Sequence, residues 1–211
     1  MKIFKMLNNI DRRIIYVLLS IAVIVPLIFK SDMEITPGPY AEATFNAIKE
    51  EFGDSSNPKS NKKILLSFDY GPSTATEVNP MAFAIMKQVL LTGNEVHIMA
   101  LFDQGLPVSK DIEKQILADK DLLEKFGAEK NIKDKIFTLG YAPGGEAVIK
   151  GMLSSIPDLF PDAKERKIKN LCDYNFVVSL SSGTPGLKEW VMYAGDASEA
   201  EGGKKVNITT I

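Results

Sequence analysis

Histidine and cysteine are almost missing from this chain: its 211 residues hold one of each, His97 and Cys172. One thiol excludes an internal disulfide and a cysteine metal cluster. Cys172 precedes a predicted strand at the edge away from the strand-end loops, so a catalytic thiolate is not expected there. His97 falls inside a predicted strand, too far from Ser182 to serve as its general base, and is expected in or near the core. Cofactor fingerprints are missing too. Tyr70-Gly71-Pro72 stands where a dinucleotide-binding G-x-G-x-x-G would follow the first strand, and no G-x-x-x-x-G-K-[ST] occurs. Leu180-Ser181-Ser182-Gly183-Thr184 lacks the first glycine of a nucleophile elbow. No cofactor and no metal are therefore expected. The cations form no stripe, which argues against nucleic acid as a partner, because neutralising phosphates needs clustered charge.

Charge is unevenly placed. The chain carries −2 overall, but Lys2, Lys5, Arg12 and Arg13 against Asp11 give its first thirteen residues +3, leaving −5 for the rest. Ile14–Phe29 (IIYVLLSIAVIVPLIF) then runs without a charge. As a helix it would cover about 24 Å, a little short of a ~30 Å hydrocarbon core, a gap that snorkelling Arg12, Arg13 and Lys30 can close. A buried core helix would show more polar residues than Ser20. A cleaved signal would show small residues before its cut, whereas Lys30-Ser31-Asp32-Met33-Glu34 follows. The expectation is one transmembrane anchor over 14–30, a single-pass signal anchor with the lipid bilayer as its partner. The basic segment 1–13 faces the cytoplasm, 31–39 (with Pro37-Gly38-Pro39) forms a stalk, and 40–211 is an extracytoplasmic domain at the inner or plasma membrane.

Beyond the stalk, strand and helix patterns alternate. Tyr40–Phe52 is helical by the spacing of Phe45, Ile48 and Phe52. Ile64–Asp69, Glu95–Leu101, Lys135–Tyr141 and Asn175–Leu180 have strand composition, and Lys205–Ile211 makes a fifth. Predicted helices are Met81–Thr92 behind an Asn79-Pro80 cap, Lys110–Phe126 capped by Ser109, Glu146–Ser155, Ala163–Cys172 with Asp162 and Glu165 as capping box, and one beginning at Leu187. Alternation implies crossovers and a mainly parallel, doubly wound α/β sheet of Rossmann-like or flavodoxin-like order. The chain stops on its last predicted strand, so that strand is either terminal or interrupted within a longer protein.

In such sheets ligands bind beyond the carboxyl ends of the strands. The loops there offer Asp69, Tyr70 and Ser73; Gly144, Gly145 and Glu146; and Ser181, Ser182, Gly183 and Thr184. Asp69 is the sharpest candidate and Glu146 the second. A carboxylate ending a first strand either binds a ligand or braces its loop by accepting N–H bonds.

The motifs SFDYGPS, GYAPGGEA and SSGTPGLKEW, within residues 40–191, resemble those of a group of prokaryotic membrane-anchored α/β proteins with no assigned function. The resemblance implies the fold and the anchor but no reaction, and members tend to continue beyond the fifth strand. A looser fold-level similarity to class I glutamine-amidotransferase-like sandwiches brings no Cys–His–Glu machinery with it. The expected function is a non-catalytic, membrane-tethered binding or assembly domain. Two alternatives are a hydrolase or transferase using Asp69 and Glu146 with Ser182 or Thr184, and a subunit of a larger membrane complex.

Overall fold

The computed structural model describes residues 11–28, 36–195 and 206–210. The chain divides into two compact units, 1–38 and 39–211.

The first unit contributes α1, Arg12–Ile28. It starts two residues before the charge-free run because Asp11 caps it, accepting the Arg13 N–H at 3.0 Å. Apolar residues lie exposed all round it, among them Ile15, Leu18, Leu19 and Val23. Its 17 residues reach about 25 Å, and among the described residues no helix is long and apolar enough to cross a membrane. Phe29, Lys30, most of the basic segment and much of the stalk lie outside the described residues, as do Lys205 and Ile211.

The second unit is a Rossmann-like α/β domain. Its strands are β1 (Lys63–Asp69), β2 (Glu95–Ala100), β3 (Ile136–Tyr141), β4 (Phe176–Ser181) and β5 (Asn207–Thr210). They stand in the order β3-β2-β1-β4-β5, and every pairing is parallel. Of the two doubly wound orders expected, that is the Rossmann-like and not the flavodoxin-like one, and it puts the switch point between β1 and β4. β1 and β4 are buried on both faces, which is why ILLSF and FVVSL are apolar runs without alternation.

Ile64, Leu66 and Phe68 face one layer, made by α2 (Pro39–Phe52), α3 (Ala75–Leu91) and α4 (Gly105–Leu117). Leu65 and Val177 face the other, made by α7 (Glu146–Ser154), the turns around Ala163 and Leu171, and Trp190. Short helices α5 (Lys120–Phe126) and α6 (Glu129–Lys133) continue the first layer, and α8 (Ile156–Leu159) the second.

Several predicted helix boundaries are corrected. Asn79-Pro80 does not start a helix; α3 begins at Ala75 and holds Pro80 inside. Asn79 is occupied elsewhere, accepting the Tyr70 hydroxyl at 2.9 Å. Ser109 is buried within α4 and donates to the Leu106 carbonyl, so it caps nothing. The predicted helix 110–126 is two helices, because Asp119 breaks it and caps α5 by accepting the Leu122 N–H at 3.1 Å. The capping box at Asp162 and Glu165 does not form. A 3-10 turn ends at Lys167 in a left-handed conformation, and Asn170 with Asp173 caps the next short turn instead.

Candidate functional site

On the second face the switch point becomes polar toward the carboxyl ends. Ser67 of β1 pairs in register with Ser179 of β4, and Asp69 with Ser181, one step beyond the apolar pair Leu65 and Val177. Asp69 is the centre of this seam and is almost fully buried. Ser67 Oγ donates to its Oδ2 at 2.6 Å, and the Leu101 N–H donates to its Oδ1 at 2.6 Å. The Ser182 N–H reaches the Asp69 carbonyl at 3.4 Å. Both carboxylate oxygens therefore tie β1 to itself and to the end of β2, the geometry of the brace among the two roles expected for Asp69. Burial pushes its carboxyl up to about 6, against hydrogen bonds from Ser67, Leu101 and Phe102 that favour the charged form.

Tyr70 leaves the candidate ligand set. Its ring is buried and stacks on Phe68 at 5.8 Å, and its hydroxyl is spent on Asn79. Ser73 is exposed in the loop before α3.

The loops after β3 and β4 converge. Gly144 and Gly145 have φ of +125° and +49°, conformations that favour glycine, and a Cβ on Gly145 would stand 3.9 Å from the Pro185 ring. The Thr184–Pro185 peptide is cis. Glu146, exposed at the start of α7, bonds the Tyr193 hydroxyl and holds that phenol above its ordinary range. Lys150, one turn along α7, places its ammonium 4.0 Å from the centre of the Tyr193 ring. Glu189 accepts the Gly186 N–H at 2.8 Å. Bonds from Gly186 and from its own N–H keep its carboxylate below the usual range. Gly186 sits so close to Ser181 that a Cβ would lie 2.9 Å from the Ser181 hydroxyl. Ser182, Gly183 and Thr184 project to solvent from this base.

Of the residues singled out in the sequence, Gly144, Gly145, Glu146 and Ser181–Thr184 thus belong to one loop cluster. Asp69 lies beneath the sheet edge, and Tyr70 lies in the core. Tyr193, Lys150 and Glu189 escaped notice. Two of them carry a local signal: Glu146 and Lys150 share an i,i+4 helix face, and Glu189 stands three residues after Gly186. Tyr193 carries none, since a π-helical turn over Val191–Gly195 decides where it points.

The cluster offers hydroxyls, the exposed carboxylate of Glu146, the ammonium of Lys150 and a glycine-opened backbone, a surface suited to hydrogen-bonding a polar group. Among the described residues no group of three or more His, Cys, Asp or Glu is placed to hold a metal. His97 is buried in the second layer, between the Tyr174 hydroxyl at 3.0 Å and Glu95 at 3.3 Å. Burial lowers its pKa more than Glu95 raises it. Grooves lie elsewhere too, among them one of about 800 Å³ between α2 and β5 and one of about 450 Å³, mainly apolar, between α2 and α3.

No protein-family model and no curated protein matches the chain. Among solved structures, a universal stress protein in complex with cAMP aligns over 72% of this chain and 98% of its own, at 12% identity and a TM-score of 0.32.

Proposed function

We propose that this protein is a membrane-tethered, non-catalytic binding or assembly module that engages a polar ligand or partner through the loops after β3 and β4. The observation that carries this reading is the commitment of the buried acid. Both oxygens of Asp69 accept protein donors, so the carboxylate that a hydrolase or transferase would use is a brace, while Glu146 and the hydroxyls of Ser182 and Thr184 stay at the surface. The proposed tether is α1: although it is shorter than a full span, its apolar residues are exposed on every side and leave no solvated face to turn to water, and Arg12 and Arg13 would stand at its cytoplasmic end. The anchor and the loops' ligand are tested separately.

For the tether, a Cys172→Ser, Ser55→Cys protein is labelled in intact cells with a membrane-impermeant maleimide. Labelling without lysis is the expected result; labelling only after lysis sinks the orientation. For the loops, the full chain in mild detergent is screened by thermal shift beside Gly183→Trp. A Cβ at Gly183 would meet nothing within 4 Å, so the substitution sets a bulky ring beside the cluster from an open backbone position. Hits that vanish in Gly183→Trp are expected, and hits that persist would move the site elsewhere.

A second reading, subunit of a larger membrane complex, is favoured by the apolar groove between α2 and α3. Phe45 and Met81, which line it, are 53% and 36% exposed, and exposed apolar clefts of this kind mark docking faces.

A further inference from the structure

Among the described residues the outer side of β5 is an open sheet edge. β5 pairs with β4 through Asn207–Thr210 against Phe176–Ser179 and stands last in the strand order. Among the described residues no strand covers its other side. A strand edge presents alternating N–H and C=O groups that only another extended backbone matches along their whole length. Natural edges are usually blunted by charge, proline or a bulge. Asn207-Ile208-Thr209-Thr210 has neither charge nor proline.

Instead of a blunt edge there is a channel. The groove of about 800 Å³ follows β5 from Phe176, at its amino end, to Leu187 beyond its carboxyl end. Its far wall is α2, where Ala43 and Ala47 leave room for incoming side chains. The wall is tied to the strand, since Thr44 Oγ1 lies 3.5 Å from Thr209 Oγ1. Two carboxylates, Glu50 and Glu51, line the groove, and among the described residues no cation does. Glu51 also bonds Lys62 and Asn175, just ahead of β1 and β4, which puts the acidic end of the groove at the amino end of the sheet.

We propose that this groove takes an extended segment of another polypeptide as a sixth strand. The segment has small or β-branched, uncharged residues along β5 and a lysine or arginine at the end facing Glu50. Strand addition explains together the open backbone edge, the small-residue wall and the one-sided charge. The surface is separate from the loop cluster after β3 and β4 and does not depend on what that cluster binds.

The test uses a fluorescein-labelled peptide, KKVTITVT, titrated by anisotropy against the full-length protein in mild detergent. Saturable binding is expected. Methylating alternate backbone nitrogens leaves the side chains and removes the donors, and should weaken binding at least tenfold. The charge-reversed peptide EEVTITVT, and Glu50→Lys with the original peptide, should each lose a comparable factor. Ala43→Trp, an exposed position on the groove wall, should abolish binding while the thermal melt stays unchanged. Absence of saturable binding by KKVTITVT overturns the proposal, and so does an N-methylated peptide that binds within twofold of the parent.

Discussion

Gly105→Ala is expected to destabilise the domain by about 3 kcal/mol, although it places the best helix former in the first turn of α4. Propensity alone predicts a gain of up to about 1 kcal/mol, so the sign is diagnostic. A Cβ on Gly105 would stand 1.8 Å from the Phe68 carbonyl oxygen and 2.9 Å from its carbon. Those are backbone atoms of a central strand and cannot swing aside as a side-chain tip can. The Cβ would also lie 3.0 Å from that of Ala100. Either α4 withdraws from the sheet or β1 bends, and both movements disturb the end of β2, where Leu101 donates to Asp69. Gly183→Ala is the control: nothing lies within 4 Å of its Cβ position, so a shift within about 0.5 kcal/mol is expected. Trp190, the sole tryptophan and fully buried, reports both denaturation curves by fluorescence. A Gly105→Ala protein as stable as the parent would mean that α4 does not pack this closely.

The strands were legible because burial on both faces writes itself locally, as in Leu65-Leu66 and Val177-Val178. Helix boundaries were less so, because their causes lie far away in sequence. Asn79 looks like a cap until the fold brings the Tyr70 hydroxyl to it. The segment after Pro161 has a capping-box spacing but no helical apolar stripe behind it. Ala163, Ile168 and Leu171 are its buried anchors, five and then three residues apart, and the chain reverses hand at Lys167 to bury them. Candidate loops could be listed from the α/β pattern alone. Their convergence could not, since Gly145 and Pro185 meet only once α7 has crossed back toward β4. Asp69 shows the limit most clearly. Its position at a strand end was visible, but its role depends on a Leu101 N–H thirty-two residues later, and only the adjacency of β1 and β2 supplies that donor.

Replacing Asp69 by asparagine and by alanine should separate brace from charge. A carboxyl pushed up to about 6 in the folded state, against about 3.9 unfolded, binds its proton more tightly when folded. Its ionisation therefore opposes folding: the cost is fully present above the folded value and is relieved as pH falls from about 7 toward 4, by up to roughly 3 kcal/mol. His97 acts in the opposite sense. Held neutral by burial, it lets the unfolded chain take a proton first, so stability is lost as pH falls below about 6.5. Other shifted carboxylates, Glu95 and Glu189 among them, also shape the parent protein's own pH profile, and the difference between parent and Asp69→Asn isolates the contribution of Asp69. Asparagine keeps an acceptor for the Leu101 N–H, and its amide can donate to Ser67 Oγ once that hydroxyl turns. Asp69→Asn should thus be at least as stable as the parent at pH 7.5 and match it near pH 4.5. Asp69→Ala leaves the Ser67 hydroxyl and the Leu101 N–H buried without their acceptor, and should fall about 2–4 kcal/mol below Asp69→Asn across that range. Denaturation followed by Trp190 fluorescence at several pH values decides the matter. If asparagine proves as damaging as alanine at pH 7.5, the negative charge itself is required, and Asp69 returns to the set of residues that serve a ligand.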